Sequence, residues 1–257
     1  MIRDQRGFTL VELMSTVVVS GIFVGLILYF GISYWRYSSL LEADLDTFVS
    51  RLDAQDAIRD LVGTSTGLIT QNSIVDSHAN NPDPVSGANY WVTMHAVPST
   101  ISVGSNGTTT PLLYFRRLSI NTSNAVIMNG SQPYEDEYVL YMNGSTKQLL
   151  LRTLANPNAP SDKLKTSCPA SIATTACPAD RVILENVSSV TSTYYSRSGN
   201  TINYQSITDP LTGNYVGPDF TAVEALQYTF HITKKTLFIQ TNGTINDTVV
   251  RIALRNT

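Results

Sequence analysis

The chain has 257 residues and a formal net charge of −3, and charged residues make up only 14% of it, against about 25% in ordinary soluble domains. Residues 63–257 hold 12 Lys+Arg and 12 Asp+Glu, so this large part is neutral and lacks the basic footprint of a nucleic-acid-binding domain. These counts argue against DNA or RNA as a partner, although a small basic groove would be compatible with them.

An uncharged segment lies near the amino terminus. From Leu13 to Trp35 the chain has 23 residues without a formal charge, which as an α-helix extend about 35 Å and can cross a bilayer. The run is longer than the roughly 7–15 residues of a secretory signal's apolar core, and no small-x-small cleavage pattern follows it. We therefore predict a transmembrane helix, for which a plain signal anchor is the simplest interpretation.

The charges that flank this segment predict its orientation. Arg3 and Arg6 precede the apolar run, whereas Glu42, Asp44 and Asp46 follow it. Because basic residues are retained on the cytoplasmic side of a membrane, the amino terminus is expected in the cytoplasm and the large domain outside.

Glu12 is an ionisable residue at the start of the apolar run, where a plain anchor has no need of one. A carboxylate that enters a membrane requires a partner or a route back to water. Glu12 either reaches back to the interface or has a specific role.

The residues around Glu12 read Arg-Gly-Phe-Thr-Leu-Val-Glu-Leu from Arg6 to Leu13. This string resembles the prepilin processing site of the type IV pilin and pseudopilin family. The resemblance implies that a prepilin peptidase and methyltransferase cuts between Gly7 and Phe8 and N-methylates Phe8. It also implies an assembly charge pair between Glu12 and the Phe8 amine, its own or an adjacent subunit's, because a carboxylate in an apolar core needs a compensating cation.

The same resemblance implies a domain organisation and a set of partners. Residues 1–7 would be a prepilin leader, 8–36 the transmembrane and filament-core half of the helix, 37–62 its amphipathic half, and 63–257 a β-rich globular head. The partners would be the peptidase, other pilin subunits of a helical filament and an inner-membrane assembly platform. The protein would cross the cell membrane once before assembly and lie in an extracellular filament afterwards, with no cofactor, metal or catalytic residue.

The apolar run contains glycines but no proline. Gly21 and Gly25 form a GxxxG pattern, which allows close helix approach in lipid and also arises by chance. The best-known pilins carry a proline in mid-span, where this chain has Tyr29 and Phe30. This departure puts in doubt both a locally melted filament helix and the role of a major subunit.

The helix is predicted to continue to Gly63. Apolar residues recur at helical spacing beyond the membrane segment, and we expect them to seat the globular domain; they are Leu41, Leu45, Phe48, Val49, Leu52, Ile58, Leu61 and Val62.

Beyond Gly63 the pattern changes to short strands with turn residues between them. The Asn143-Gly144 pair between two apolar runs predicts a hairpin, and loops are expected at 76–89 and 156–180. The fold class is therefore α+β. The predicted strands are 90–97, 112–120, 137–142, 148–154, 182–195, 226–233 and 249–254.

The head carries a second resemblance, to the larger minor pilins and J-type pseudopilins. It rests on the segments 137–141 and 149–152, on 182–187 followed by Tyr194-Tyr195, and on the closing run 249–256. The implied role is a priming or tip-proximal subunit. The expected function is thus a structural subunit of the minor-pilin kind. The alternatives are a tip-located adhesin or DNA-uptake subunit, or a type II secretion pseudopilin.

Cys168 and Cys177 stand nine residues apart, each followed by Pro-Ala. Without a CxxC pattern or a nearby histidine, this pair fits a disulfide formed in an oxidising compartment, and two free thiols are the alternative.

Several weaker signals do not support chemistry. Ser65 lies in a GxSxG string, but the string follows a helix instead of a strand, so we predict a loop. His78, His95 and His231 lack metal-ligand spacing, and Asp209 and Asp219 lack the spacing of an EF-hand calcium loop. Seven Asn-x-Ser/Thr sequons are predicted to be turn residues; they begin at Asn106, Asn121, Asn129, Asn143, Asn186, Asn242 and Asn246.

Overall fold

The structure, a computed structural model, describes residues 9–69, 72–76, 99–102, 109–160, 162–195, 225–233 and 244–253. One α-helix, α1, spans Leu10–Gly63, and the described elements that follow it are strands and one 3-10 turn at Ala170–Ile172. The chain divides into two compact units, one built on the helix up to Thr47 and one that begins at Phe48 and holds the strands. The predicted α+β class, a long amino-terminal helix followed by a β-rich region, is confirmed.

The strands form two larger antiparallel sheets and a small hairpin. In chain order they are β1 Gly67–Ile69, β2 Ser99–Ser102, β3 Thr109–Leu118, β4 Met128–Asn129, β5 Gln132–Pro133, β6 Glu135–Asn143, β7 Gln148–Leu154, β8 Arg181–Leu184, β9 Val187–Tyr195, β10 Ala225–Thr233 and β11 Thr244–Ala253. The first sheet has the order β1-β3-β6-β7-β8 and the second β11-β10-β9-β2, while β4 and β5 pair with each other.

The helix α1 ends where the sequence predicts. Gly63 is its last residue, and the Thr64 amide donates to the Asp60 carbonyl at 3.0 Å. The Ser65 hydroxyl donates to the Val62 carbonyl at 2.6 Å. Ser65 therefore belongs to the turn that follows a helix, as predicted, and not to the strand-turn-helix geometry that a nucleophile of this motif requires.

The head buries less of α1 than the sequence predicts. Burial within the chain begins at Ala54 and continues at Ile58, Leu61 and Val62, at the spacing of one helical face. The prediction that the earlier part of the stripe also seats the head is wrong for Phe48, Val49 and Leu52, which are 44–54% exposed in the unit that holds the strands. Leu41 and Leu45 belong to the other unit, and for them it stays a prediction. Helical spacing identifies an apolar face but not what covers it.

The observed strands differ from the predicted ones mainly at two turns, near Asn186 and after Asn143. Strand β7 has the predicted bounds, whereas the predicted strand 182–195 is wrong as a single element, since it divides into β8 and β9 at Asn186, whose φ is 57°. The pair Asn143-Gly144 opens the predicted hairpin, yet the loop has four residues, with Asn143 paired to Gln148. The left-handed residue is Lys147, with a φ of 55°. The predicted strand 90–97 lies outside the described residues.

The main core of the head joins the last turns of α1 to both larger sheets. Its members from the first sheet include Phe115 and Leu140, and those from the second include Val190 and Phe230, each no more than 1% exposed. A smaller cluster on the other face of the first sheet contains Tyr114 and Tyr141. The first sheet therefore has apolar side chains buried on both of its faces.

Candidate functional site

The start of α1 is held by a reciprocal capping arrangement. The Thr9 amide and the Thr9 hydroxyl each donate to Glu12 Oε2 at 3.0 Å, and the Glu12 amide donates to Thr9 Oγ1 at 3.3 Å. This is a capping box, which satisfies free amides of the first turn and holds the Glu12 carboxylate at the positive end of the helix dipole. The predicted cleavage site, Gly7 and Phe8, lies outside the described residues.

The apolar side chains after Glu12 are not buried by any other described part of the chain. Large apolar side chains between Leu13 and Trp35 are 48–75% exposed. The helix contains an 18-residue window with a mean hydropathy of 2.2, so its length and composition suffice to cross a membrane. A soluble monomer rarely exposes so large an apolar surface. The run is therefore suited to lipid or to other helices.

Gly21 and Gly25 have no packing role within the described chain. A methyl group added at either position would meet no atom within 4 Å. Glycine costs a helix about 1 kcal/mol relative to alanine, so neither residue is explained by the fold of this chain. Both are available for close approach by another helix.

The head contains a buried ion cluster that sequence reasoning missed. The Arg152 side chain is fully buried on β7 and donates to Asp180 through Nε at 3.1 Å and through Nη2 at 2.7 Å. Its Nη1 donates to Asp76 Oδ2 at 2.7 Å, and the Asp76 side chain is also fully buried. Arg152 thus joins two chain segments that are 104 residues apart in the sequence. A charged residue in the apolar strand Gln148–Leu154 was the signal that could have found it.

Two hydroxyl groups complete the surroundings of Asp180. The Tyr141 hydroxyl donates to Asp180 Oδ2 and the Ser167 hydroxyl to Oδ1, each at 2.6 Å. Burial and this hydrogen bond raise the pKa of Tyr141 far above its ordinary value. Burial alone would lower the pKa of Arg152, but Asp180 and Asp76 outweigh it and raise that pKa. Arg152 is therefore a well hydrogen-bonded cation in a buried site.

Glu137 forms a second buried anchor beside the first. Its side chain is 3% exposed and accepts hydrogen bonds from the Ser73 amide at 2.7 Å, the Ser73 hydroxyl at 2.6 Å and the Ile74 amide at 2.9 Å. Arg116 Nε donates to it at 3.2 Å. The segment 72–76 is thus fixed to the first sheet at two points, Glu137 and Arg152.

The two cysteines lie next to the Arg152 cluster. In the structure the sulfurs of Cys168 and Cys177 are bonded, with their Cα atoms 5.6 Å apart. The Cys168 amide donates to the Pro178 carbonyl and the Asp180 amide donates to the Cys168 carbonyl, each at 2.8 Å. The backbone on which Asp180 approaches Arg152 is therefore the backbone that the cysteine loop closes.

A cleft of about 720 Å³ opens beside these anchors. It is lined by residues 73–75, 155–158 and 163–166 and by Ala176, and none of these described lining residues is acidic. Lys163 Nζ donates to the Asn156 carbonyl, and Lys165 Nζ donates to the Thr175 carbonyl at 2.5 Å. The cleft thus combines two ammonium groups with apolar and amide surface.

The weaker signals remain without a chemical role in the described residues. No group of three or more His, Cys, Asp and Glu side chains is arranged there to hold a metal ion. His78, His95, Asp209 and Asp219 lie outside those residues. The sequon asparagines Asn121 and Asn143 use their Oδ1 atoms to accept backbone amides, which is the turn chemistry predicted for them.

Comparison with known families gives one finding. A model of the prokaryotic N-terminal methylation motif matches residues 2–28. No curated protein and no solved structure matches the chain. The motif indicates a precursor of the type IV pilin and pseudopilin type. It therefore implies processing by a prepilin peptidase, anchoring in the membrane through the apolar helix, and assembly with other pilins.

Proposed function

We propose that this chain is a structural subunit of a type IV pilus or a related pilin-like filament, in the role of a minor pilin. The observation that carries the proposal is the methylation motif at residues 2–28, whose larger part forms the beginning of the 54-residue helix α1. A type II secretion pseudopilin is the other reading of the same motif. Recovery of the chain in filaments sheared from the cell surface would favour the pilus.

The domain organisation follows from the motif and from α1. Residues 1–7 act as the leader, 8–36 as the transmembrane and filament-core half, 37–62 as the amphipathic half and 63–257 as the head. In the membrane the exposed side chains of residues 13–35 contact lipid. During assembly other pilin helices replace that lipid, and Gly21 and Gly25 permit close approach. The assembled head lies outside the cell.

Glu12 supplies the negative charge that is required when pilin helices replace the lipid around α1. Cleavage after Gly7 creates an ammonium group at Phe8, next to the Thr9 that caps the helix. An ammonium group in an apolar filament core is costly unless a carboxylate compensates it. The capping box supports this role, because it holds the Glu12 carboxylate at the amino-terminal end of α1.

Processing provides the first test. The mature protein should begin at N-methylated Phe8 when its mass and amino-terminal peptide are measured. Gly7→Val should leave the precursor uncut in the membrane, because the peptidase of this family accepts only a very small residue there. Assembled filaments that retain Met1 would contradict the proposal.

The second test separates the charge of Glu12 from its capping hydrogen bonds. Glu12→Gln keeps the size and polarity but leaves the amine uncompensated, which costs about 3–5 kcal/mol per subunit in an apolar core and should abolish incorporation. Thr9→Ala is the matched control, because it loses the cap, worth about 1 kcal/mol, and keeps the charge. Both variants are expected to insert into the membrane. The amount of each variant in sheared filaments is then measured. Equal incorporation of both would mean that Glu12 only reaches back to the interface.

The cleft supports a second candidate function, a tip-located binding module. Two lysines and, among the described residues, no acidic side chain line it, which favours a ligand with carboxylate groups. An oligo-glutamate peptide is a suitable probe for the full-length protein in detergent micelles. Lys165→Glu should weaken its binding at least tenfold, whereas Arg181→Glu, an exposed charge reversal outside the cleft lining, should not. Equal weakening by both variants would indicate unspecific charge attraction.

A further inference from the structure

The buried Arg152 links the disulfide to both walls of the cleft. One wall consists of residues 73–75, and Asp76, which follows it directly, is ion-paired to Arg152 at 2.7 Å. The other wall consists of residues 163–166 with Ala176, and it is continuous with Ser167 and with Asp180, both of which bind in the same cluster. Each wall is therefore held to one guanidinium group.

The disulfide acts on one side of this arrangement. It closes the loop between Cys168 and Cys177, and the Cys168 backbone then pairs with Pro178 and Asp180. Without the bond, the hydrogen bonds of Pro178 and Asp180 to Cys168 and the pairing of β8 with β7 from Arg181 onward still hold this segment, but the Cys177 end of the loop loses its covalent link to Cys168. Asp180 would leave the cluster more readily, and Arg152 would lose two of its hydrogen bonds in a buried site.

We propose that the Cys168–Cys177 disulfide is a redox latch that holds Asp180 on Arg152 and thereby fixes the two walls of the cleft. The latch closes when the two thiols are oxidised by a disulfide-bearing oxidant. The two protein thiols give up two electrons and two protons, one S–S bond forms between them, and the oxidant's S–S bond is reduced to two thiols. The cleft thus takes its final form only in an oxidising compartment.

Thermodynamic linkage gives a test that a merely stabilising crosslink would not pass. If the disulfide strengthens the cluster, the cluster must strengthen the disulfide by the same factor. Tyr141→Phe removes one hydrogen bond to Asp180 from a strand remote from the cysteines in sequence. Tyr228→Phe is the matched control, because its hydroxyl is also buried and donates to the Leu112 carbonyl at 3.1 Å, outside the cluster.

The experiment equilibrates the full-length protein in detergent micelles with mixtures of oxidised and reduced glutathione, and alkylation with mass spectrometry measures the disulfide fraction. Tyr141→Phe should lower the equilibrium constant for disulfide formation about threefold and Asp180→Asn about tenfold or more. Tyr228→Phe should leave it unchanged. The proposal would be overturned if Tyr141→Phe and Asp180→Asn kept the wild-type equilibrium constant for disulfide formation. It would also be overturned if Tyr141→Phe and Tyr228→Phe shifted that constant equally.

Hydrogen exchange tests the effect on the cleft wall. Reduction of the wild-type disulfide should accelerate exchange in the peptide that covers residues 72–76 about tenfold, while the peptide that covers β10 keeps its rate. Exchange at 72–76 that does not respond to reduction, or that accelerates equally in both peptides, would refute the coupling between the disulfide and this wall.

Discussion

The apolar half of α1 and the β-rich head differ in where they place charged and apolar residues. Residues 13–35 carry no formal charge, and their large apolar side chains are 48% exposed at Leu26 and as much as 75% exposed at Tyr34. The head instead encloses charged residues, since Arg152 and Asp76 are both fully buried and lie 2.7 Å apart at their closest atoms. In the described part of the helix the apolar surface stays exposed, whereas in the head the buried Arg152 is paired with carboxylates of its own chain.

This difference determines where a substitution has its effect. A change in the Arg152 cluster or in the core of the head alters the free energy of unfolding of the isolated chain, because these residues have their partners within the chain. A change on the exposed face of α1 leaves that free energy almost unaltered and acts on what the helix contacts next. The following predictions test this division.

Removal of the central cation should have the largest effect. Arg152→Met leaves Asp76 and Asp180 buried without a counter-charge, and such a loss costs about 3–5 kcal/mol of unfolding free energy. Arg181→Met, at an exposed position, should change it by less than about 0.5 kcal/mol. Denaturant unfolding of the full-length proteins in micelles measures both values. A small effect for Arg152→Met would mean that the head does not depend on its buried charges.

Two apolar residues of the same helix sharpen the comparison. Ile58 is 1% exposed and Leu45 is 61% exposed. Ile58→Ala should cost about 3 kcal/mol, since it opens a cavity in the core, whereas Leu45→Ala should cost no more than about 0.5 kcal/mol. Denaturant unfolding of both variants in micelles measures the two losses of unfolding free energy. Comparable losses would show that the stripe is covered further toward the amino terminus than Ala54.

The disulfide should contribute a smaller amount. In the chain-entropy description, a loop whose cysteines are nine residues apart stabilises by roughly 2–3 kcal/mol. The double variant Cys168→Ser, Cys177→Ser should lose this amount. Peptide mapping without reducing agent should recover both cysteines in one crosslinked product, and recovery as two alkylated thiols from the exported protein would refute the pairing.

The weakest effect at neutral pH concerns Tyr138. Burial raises the pKa of Tyr138 to about 12, with the Asp136 charge adding to the shift and Arg117 opposing it. Because the folded pKa lies above the unfolded value of about 10, this contribution to stability is complete below pH 10 and is lost as the pH rises through 12. The unfolding free energy of Tyr138→Phe should therefore fall less steeply across that window. If the unfolding free energies of the wild type and of Tyr138→Phe fell with the same slope between pH 10 and 12, this role for Tyr138 would be excluded.

The sequence by itself determined the features that depend on local pattern. The uncharged run and the apolar stripe that follows it predicted the long helix, Gly63 predicted its end, and Asn143-Gly144 between two apolar runs predicted a hairpin. These succeed because helical and strand periodicity, capping and turn chemistry involve residues close together in the chain. The prepilin string around Glu12 could also be recognised from the sequence, because its residues are consecutive, and the methylation-motif model matches residues 2–28.

Only the tertiary structure decided which apolar and charged residues have partners within the chain. Sequence spacing treated Leu52 and Ile58 alike, yet only Ile58 is buried in the core. It gave no sign that Asp76, Arg152 and Asp180 meet, because their separations of 76 and 28 residues carry no periodic signal. Burial and ion pairing arise from contacts between distant segments, and their free energy depends on desolvation, which no local pattern encodes.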